Sequence, residues 1–301
     1  MEINDFKQLS VNDIQEYQKC ISGRYNNSES SVASMFTWQH YYGASFTVSD
    51  DTIYSLFKDG SGNYASFMPY GEHRNSVEAI DKLIEFYSHI APEFTLNLCT
   101  SDFVEFLNSV NHRYDYEVTE KRNSFDYVYN TSDLINLSGK KYHSKKNHIN
   151  TFNKLYAYEY VRYDNSMKSE CVNFCTKVLA EHYRDNVKSY NAELESIQKA
   201  FDSFDVLRLK CGLLCADNKI IALSVGEKLN NDYALIHIEK ADYNYRTAYS
   251  VINNLFLKNE FADTIYVNRE EDMGIEGIRK AKMSYKPCFL IEKYNIKFKI
   301  F

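Results

Sequence analysis

The 301-residue chain reads as an α+β protein made of two successive units with one element order, β-β-β-α-β-α-β. Three observations predict it. Each half carries three short alternating apolar runs separated by polar turns. An amphipathic helical stretch follows each triplet, and then come a strand, a helix and a last strand. The two copies are offset by about 160–175 residues and share no obvious residue identity. The boundary is expected near residue 124, giving an N-terminal domain over 1–124 and a C-terminal domain over 125–301.

In the first half, Ser10 opens a helix over 10–21 as an N-cap, with Ile14, Tyr17 and Ile21 on one side. A short helix over 30–40 follows. Strands are predicted over 44–49, 52–58 and 64–68, with Asp50-Asp51 and Asp59-Gly60-Ser61-Gly62-Asn63 as hairpin turns. Val77, Ile80, Leu83, Ile84 and Tyr87 mark an amphipathic helix over 76–90. A strand over 94–99, a helix over 102–109 and a strand over 114–119 complete the unit. The second half begins with helical stretches over 143–155, 169–183 and 192–201. Strands over 206–215, 220–228 and 233–240, a helix over 247–260, a strand over 264–268, a helix over 275–283 and a strand over 289–294 follow.

Composition narrows the function classes. Ten glycines and three prolines are few beside the average ~7% and ~5%, which excludes collagen-like and Pro-rich chains. Hydrophobic content of 44%, with 26 Tyr and 19 Phe, offers enough apolar surface to exclude a disordered chain. No apolar run approaches the ~18 residues of a membrane span. The acidic start Met1-Glu2-Ile3-Asn4-Asp5 lacks the cationic region and apolar core of a signal peptide, so a cytoplasmic location is expected. The formal charge of −6 argues against a general nucleic-acid coat but leaves room for a local basic patch. Seven cysteines without a CxxC pair read as buried reduced thiols, and no metal site is expected.

Chemistry concentrates in three stretches. Asn268-Arg269-Glu270-Glu271-Asp272-Met273-Gly274 places an amide, a guanidinium and three carboxylates at a strand's C-terminal end, where α/β-type sites open. Two of the ten glycines, Gly274 and Gly277, allow close backbone approach there. Beyond them Arg279 and Lys282, at i, i+3, share a helix face suited to a phosphate or carboxylate. The alternative is a solvated, salt-bridged helix. The second stretch, residues 140–148, gathers four lysines and two histidines. Lys145 and Lys146 are expected to meet an anion and Tyr142 to stack on a base or sugar; the alternative is a solvated helix start. In the third, His237 and Glu239 share one face of a strand. Glu239 is suited to general-base work with His237 assisting, or else to pairing with Lys240 or Arg279. No Ser-His-Asp or Cys-His order is readable, so direct attack without a covalent intermediate is expected, with positioning supplying much of the rate.

The element order is that of the GNAT acyltransferase fold. Asn268, Glu270, Asp272, Gly274, Gly277, Ile278, Arg279, Lys282 and Pro287 resemble the signature of an uncharacterised bacterial family related to the C-terminal domain of phosphatidylglycerol lysyltransferases. Residues 137–152 and His237-Ile238-Glu239-Lys240-Ala241-Asp242 resemble it too. The resemblance implies a tandem GNAT fold shared with Fem-type aminoacyltransferases. It also implies transfer of an aminoacyl group from a charged tRNA to an amine or hydroxyl. Two departures qualify it: no membrane-spanning flippase-like segment is present, and Arg246-Thr247 stand where the family has a glycine. The glycine loop that cradles acetyl-CoA is likewise absent, which weakens that donor.

The resulting expectation is an aminoacyl- or acyltransferase with Glu239 and Asp272 catalytic, and Asn268, Glu270, Arg279, Lys282, Lys145, Lys146, Tyr142 and His237 binding substrate. Aminoacyl-tRNA or an acyl-CoA is the donor, no other cofactor is implied, and an anionic lipid surface is a candidate partner. A CoA-dependent N-acyltransferase and a non-catalytic GNAT pair that binds a ligand are the alternatives.

Overall fold

The computed structural model of the chain describes residues 1–21, 23–184 and 186–300. In chain order its elements are α1 (Ile14–Ile21), α2 (Val32–Tyr42), β1 (Ser45–Ser49), β2 (Thr52–Lys58), β3 (Tyr64–Phe67), β4 (Tyr70–Gly71), α3 (Val77–Ser88), β5 (Glu93–Thr100), α4 (Ser101–Ser109), β6 (Asp115–Glu120) and β7 (Asp126–Asn130). They continue as α5 (Thr131–Asn136), α6 (His143–Leu155), β8 (Glu159–Arg162), α7 (Lys168–Tyr183), α8 (Val187–Asp202), β9 (Lys210–Ala216), β10 (Lys219–Lys228), β11 (Tyr233–Ala241), α9 (Ala248–Glu260), β12 (Tyr266–Asn268), α10 (Glu276–Ser284), β13 (Phe289–Ile291) and β14 (Lys293–Lys299). The predicted α+β order is therefore present in both halves. β4, β7, α5 and β8 are additions, all two to six residues long and too short to show a clear period.

The chain folds into two units that are discontinuous in sequence. One comprises Met1–Asp126, Glu271–Gly274 and Leu290–Phe301; the other comprises Tyr127–Glu270 and Ile275–Phe289. The sequence places a single boundary at 124/125, whereas the structure adds the end of the chain and four residues of the signature loop to the first unit. Phe301 itself lies outside the described residues.

In the first unit the sheet order is β1-β2-β3-β5-β14-β6, with β4 beside β2. β3 and β5 run parallel, and β14 pairs antiparallel with β5 and β6 on either side. The stretch read as one strand over 289–294 thus splits, and its second part sits inside the sheet of the other half. Two features hold it there. Phe298 stacks on Phe94, and Phe94 on Tyr87, with centroids 5.0 and 4.1 Å apart; such aromatic stacking adds to area burial. At the strand's start, Lys293 Nζ donates to Asp126 Oδ1 (2.6 Å), Glu29 Oε1 (2.5 Å) and Ser28 Oγ (2.9 Å). Lys293 and Asp126 are fully buried, and a buried charge needs such partners. The sequence shows no comparable polar cluster in this half.

The strands of the second unit follow the sheet order β7-β12-β11-β10-β9-β8. β11 and β12 run parallel, with Leu235 opposite Asn268, and β9, β10 and β11 form the antiparallel meander. α9 covers this sheet: Val251 and Ile252 pack with Leu214, Ile221 and Ala222, and Phe152 of α6 joins the same cluster. α6 thereby lies along the first turns of α9. Thr247, just before α9, has φ +69°, a left-handed conformation that favours glycine. Its hydroxyl donates to the His148 carbonyl at 3.1 Å, which ties α6 to that turn. Among the described residues no helix is long and apolar enough to cross a membrane.

Candidate functional site

The signature loop is built on two side-chain turns. Asn268 Oδ1 accepts from the N–H of Glu270 at 2.8 Å, and Asp272 Oδ1 accepts from the N–H of Gly274 at 2.8 Å. Asn and Asp favour turns because their side chains can take the N–H two residues on. Both are fully buried. Glu270 and Gly274, the residues so capped, have φ of +56° and +74°. Gly274 is needed twice over, since a Cβ there would also meet Asn123 Nδ2 at 2.9 Å. Asp272 lies in the first unit, with its other oxygen 3.6 Å from Arg122 Nη1. It is therefore not among the groups the second unit gathers, and its contacts hold a turn.

Glu270 turns its carboxylate to His237. That imidazole bridges two acids, with Nδ1 3.1 Å from Glu270 Oε1 and Nε2 3.0 Å from Glu227 Oε1. Burial by itself would lower the imidazolium's pKa, but the bonds to Glu227 and Glu270 outweigh it and raise it to about 10. His237 is thus a held cation. It braces the loop and is ill suited to shuttling a proton at neutral pH.

The residue inside the first of these turns faces elsewhere. Arg269 lies just past β12, its N–H donating to the Tyr127 carbonyl at 3.0 Å. Its guanidinium Nη2 donates to Glu239 Oε1 on β11 at 2.9 Å. The second Glu239 oxygen accepts from Asn253 Nδ2 of α9 at 3.0 Å. With both oxygens engaged, Glu239 orients Arg269, and the cation it pairs with is neither Lys240 nor Arg279. Lys240 pairs with Glu193 at 2.6 Å. Arg269 Nη1 is buried without a hydrogen-bond acceptor among the described residues, a state that costs about 1–3 kcal/mol.

Tyr285 forms the floor beneath this group. The Arg269 guanidinium lies 4.9 Å from its ring centre and Lys145 Nζ lies 3.8 Å from it. The Tyr285 hydroxyl donates to Ser250 Oγ at 3.2 Å, and His148 Nδ1 stands 3.3 Å from the same oxygen. Burial and the Arg269 guanidinium push the Lys145 ammonium down to about 8, with Glu239 acting the other way. Burial, with Lys145 and Arg246, also lowers the His148 pKa. Tyr129 adds a ring 5.8 Å from Arg269.

The remaining expected residues are distributed differently. Lys282 Nζ donates to the carbonyls of Arg269 (2.5 Å) and Glu270 (2.9 Å), and Tyr129 donates to the Lys282 carbonyl at 2.9 Å. The Lys282 amine thus holds the loop. Arg279 is half-buried on α10 and Lys146 is exposed on α6. Tyr142 is 1% exposed with its hydroxyl 3.3 Å from Asp133 Oδ2, so its ring offers no open face for stacking. Among the described residues no group of three or more His, Cys, Asp or Glu side chains could hold a metal ion, and all seven cysteines are free thiols.

The structure thus brings together Lys145, Glu239, Arg269, Tyr285, Ser250 and His148. Sequence reasoning names only the first two as site residues. Arg269 occupies a position that the signature leaves open. Its one signal is a guanidinium at a strand's C-terminal end.

Comparison with known proteins places the chain. The family described as "Phosphatidylglycerol lysyltransferase, C-terminal" matches residues 23–297. A conserved protein of unknown function from Bacteroides thetaiotaomicron is 32% identical, with a TM-score of 0.90 over 98% of this chain and 99% of that one. L-PGS from Bacillus licheniformis has the same fold at 12% identity, with a TM-score of 0.72 over 97% of this chain and 93% of that one. FemX, at 9% identity, reaches 0.58 over 98% and 97%. An uncharacterized protein of Mycoplasmoides gallisepticum is 30% identical over 193 residues, which are 64% of this chain and 61% of that protein.

Proposed function

The chain belongs to the phosphatidylglycerol lysyltransferase C-terminal family, and from that premise we propose that it is an aminoacyltransferase. It takes an aminoacyl group from a charged tRNA and passes it to an amine or hydroxyl acceptor. The observation that carries this reading is the Arg269 guanidinium, fixed through Nη2 by Glu239, with Nη1 buried and without an acceptor among the described residues. Attack on an ester carbonyl places negative charge on its oxygen, and a preorganised donor aimed at that charge speeds transfer.

Lys145 supplies the second part. As the new C–N or C–O bond forms and the ester C–O bond breaks, the leaving ribose oxygen needs a proton. The Lys145 ammonium, with a pKa of about 8, is a suitable acid at neutral pH. The proton that the acceptor loses restores it, so the step balances. Asn268 and Asp272 shape the loop, while His237, Glu270 and Lys282 brace it. Arg279 and Lys146 lie outside this cluster and are proposed as contacts for the anionic parts of the substrates. Contact with an anionic lipid surface is part of the same proposal, because the family is described by a lipid acceptor.

The test is transfer from labelled lysyl- or alanyl-tRNA to phosphatidylglycerol vesicles and to soluble amines. Label moving to an acceptor in the wild type, and about 100- to 1000-fold less in Arg269→Gln, is expected. Label that stays on the tRNA, with transfer from a CoA thioester in its place, would select the N-acyltransferase reading.

A further inference from the structure

The same cluster is short of one negative charge. Lys145 and Arg269 both approach the Tyr285 ring, 3.8 and 4.9 Å from its centre, and the guanidinium lies close enough to lower the Lys145 pKa. Among the described residues the carboxylate that acts on both is Glu239, whose two oxygens already serve Arg269 and Asn253. Lys145 is half-buried, and Arg269 and Tyr285 are more deeply enclosed, so water screens their charges weakly. Arg269 Nη1 independently lacks an acceptor among the described residues. Buried polar groups in folded proteins almost always have a partner, and an exception calls for a reason such as a bound ion. A missing acceptor and an excess of positive charge thus occur in one cluster. One oxyanion answers both.

We infer that Arg269 and Lys145 form a binding site for a singly charged oxyanion, a phosphodiester or a carboxylate, and that uptake requires the ammonium form of Lys145. The groups facing the Lys145 amine are Tyr285, Arg269 and Glu239, with His148 one turn along the same helix. His148 is held below its ordinary value and is neutral above pH 7, while burial pushes the Tyr285 hydroxyl up. Lys145 is therefore the group in this cluster that titrates near pH 8. An anion that favours its charged form must, by reciprocity, lose affinity when the proton leaves. A guanidinium at position 145 would keep its charge throughout this range.

The inference rests on the transfer reading for the place of the site, with the bound anion and the developing ester oxyanion using the same donor in turn; its test measures binding without turnover, so the two fail separately. Dimethyl phosphate and acetate remain singly charged from about pH 6.5 to 9.5. Each is titrated into the full chain and followed by ligand NMR. At least one should bind, with affinity level below about pH 8 and falling about tenfold per pH unit above it. Lys145→Arg should bind with no decline over the same range, and Arg269→Gln should bind neither anion. Preference for dimethyl phosphate assigns a phosphodiester ligand; preference for acetate assigns a carboxylate. Absence of binding by both probes at pH 7, a flat profile in the wild type, or an unchanged decline in Lys145→Arg overturns the inference.

Discussion

Glu239 Oε1 accepts from Arg269 Nη2 at 2.9 Å across the ends of two parallel neighbouring strands, and both side chains are more than four-fifths buried. Removing one member of such a pair strands the other's charge. Glu239→Ala should therefore lower unfolding stability by about 3–5 kcal/mol, read from urea midpoints. Glu239→Gln keeps the shape and one acceptor and should lose less. Equal stability in all three proteins would remove the pair from the account of how Arg269 is held.

The transfer rate should fall as pH rises through about 8, the Lys145 value, by about tenfold per unit once the ammonium is the minority form. Lys145→Met should abolish this limb and slow the reaction about 100-fold or more at pH 7. A single-turnover pH profile decides the matter, provided product release is kept out of the measurement.

His237 affects stability with a definite sign. Its folded value, about 10, lies above the ordinary imidazole value near 6.5. Its contribution is therefore fully present below about pH 6.5 and is lost as pH rises through about 10. The difference in urea midpoint between wild type and His237→Asn should shrink steadily across that window. A difference that grows with pH would contradict the two-carboxylate bridge to Glu227 and Glu270.

Lys293→Ala should be among the most damaging changes in the first unit. It would leave Asp126 and Glu29 facing one another; burial and the Asp126 charge already press the Glu29 pKa upward. A loss of about 3–5 kcal/mol is expected, with part of it recovered on acidification as the carboxylates take up protons. Circular dichroism melts at two pH values read both effects.

Local physics made most elements legible. α3 declares itself through Val77, Ile80, Leu83 and Tyr87 and is capped by Ser76 Oγ on the Ala79 N–H at 3.1 Å. The meander of β9 to β11 follows from alternation and polar turns. Which sheet receives β14 is a different kind of information. Lys293 finds Asp126 and Glu29 at separations of 167 and 264 residues, and no local period encodes a pairing at that range. The site divides in the same way. Asn268, Glu270 and Asp272 stand out as a motif, yet their structural contacts are turns and a brace around Arg269. Glu239 is visible as a strand carboxylate, but only the packing of α9 and β12 beside it reveals that both its oxygens are engaged. Lys145 is one of four lysines in a nine-residue run, and only its place above Tyr285 sets it apart.

The position of β14 between β5 and β6 also orders events during synthesis. The sheet begun by residues 45–120 lacks an interior strand until the ribosome has added residues 293–299, so β5 and β6 wait, unpaired on those sides, while the whole second unit is made. A chain cut before residue 293 would therefore leave the β5 edge without its neighbour, and that exposed edge is where a chaperone would be needed.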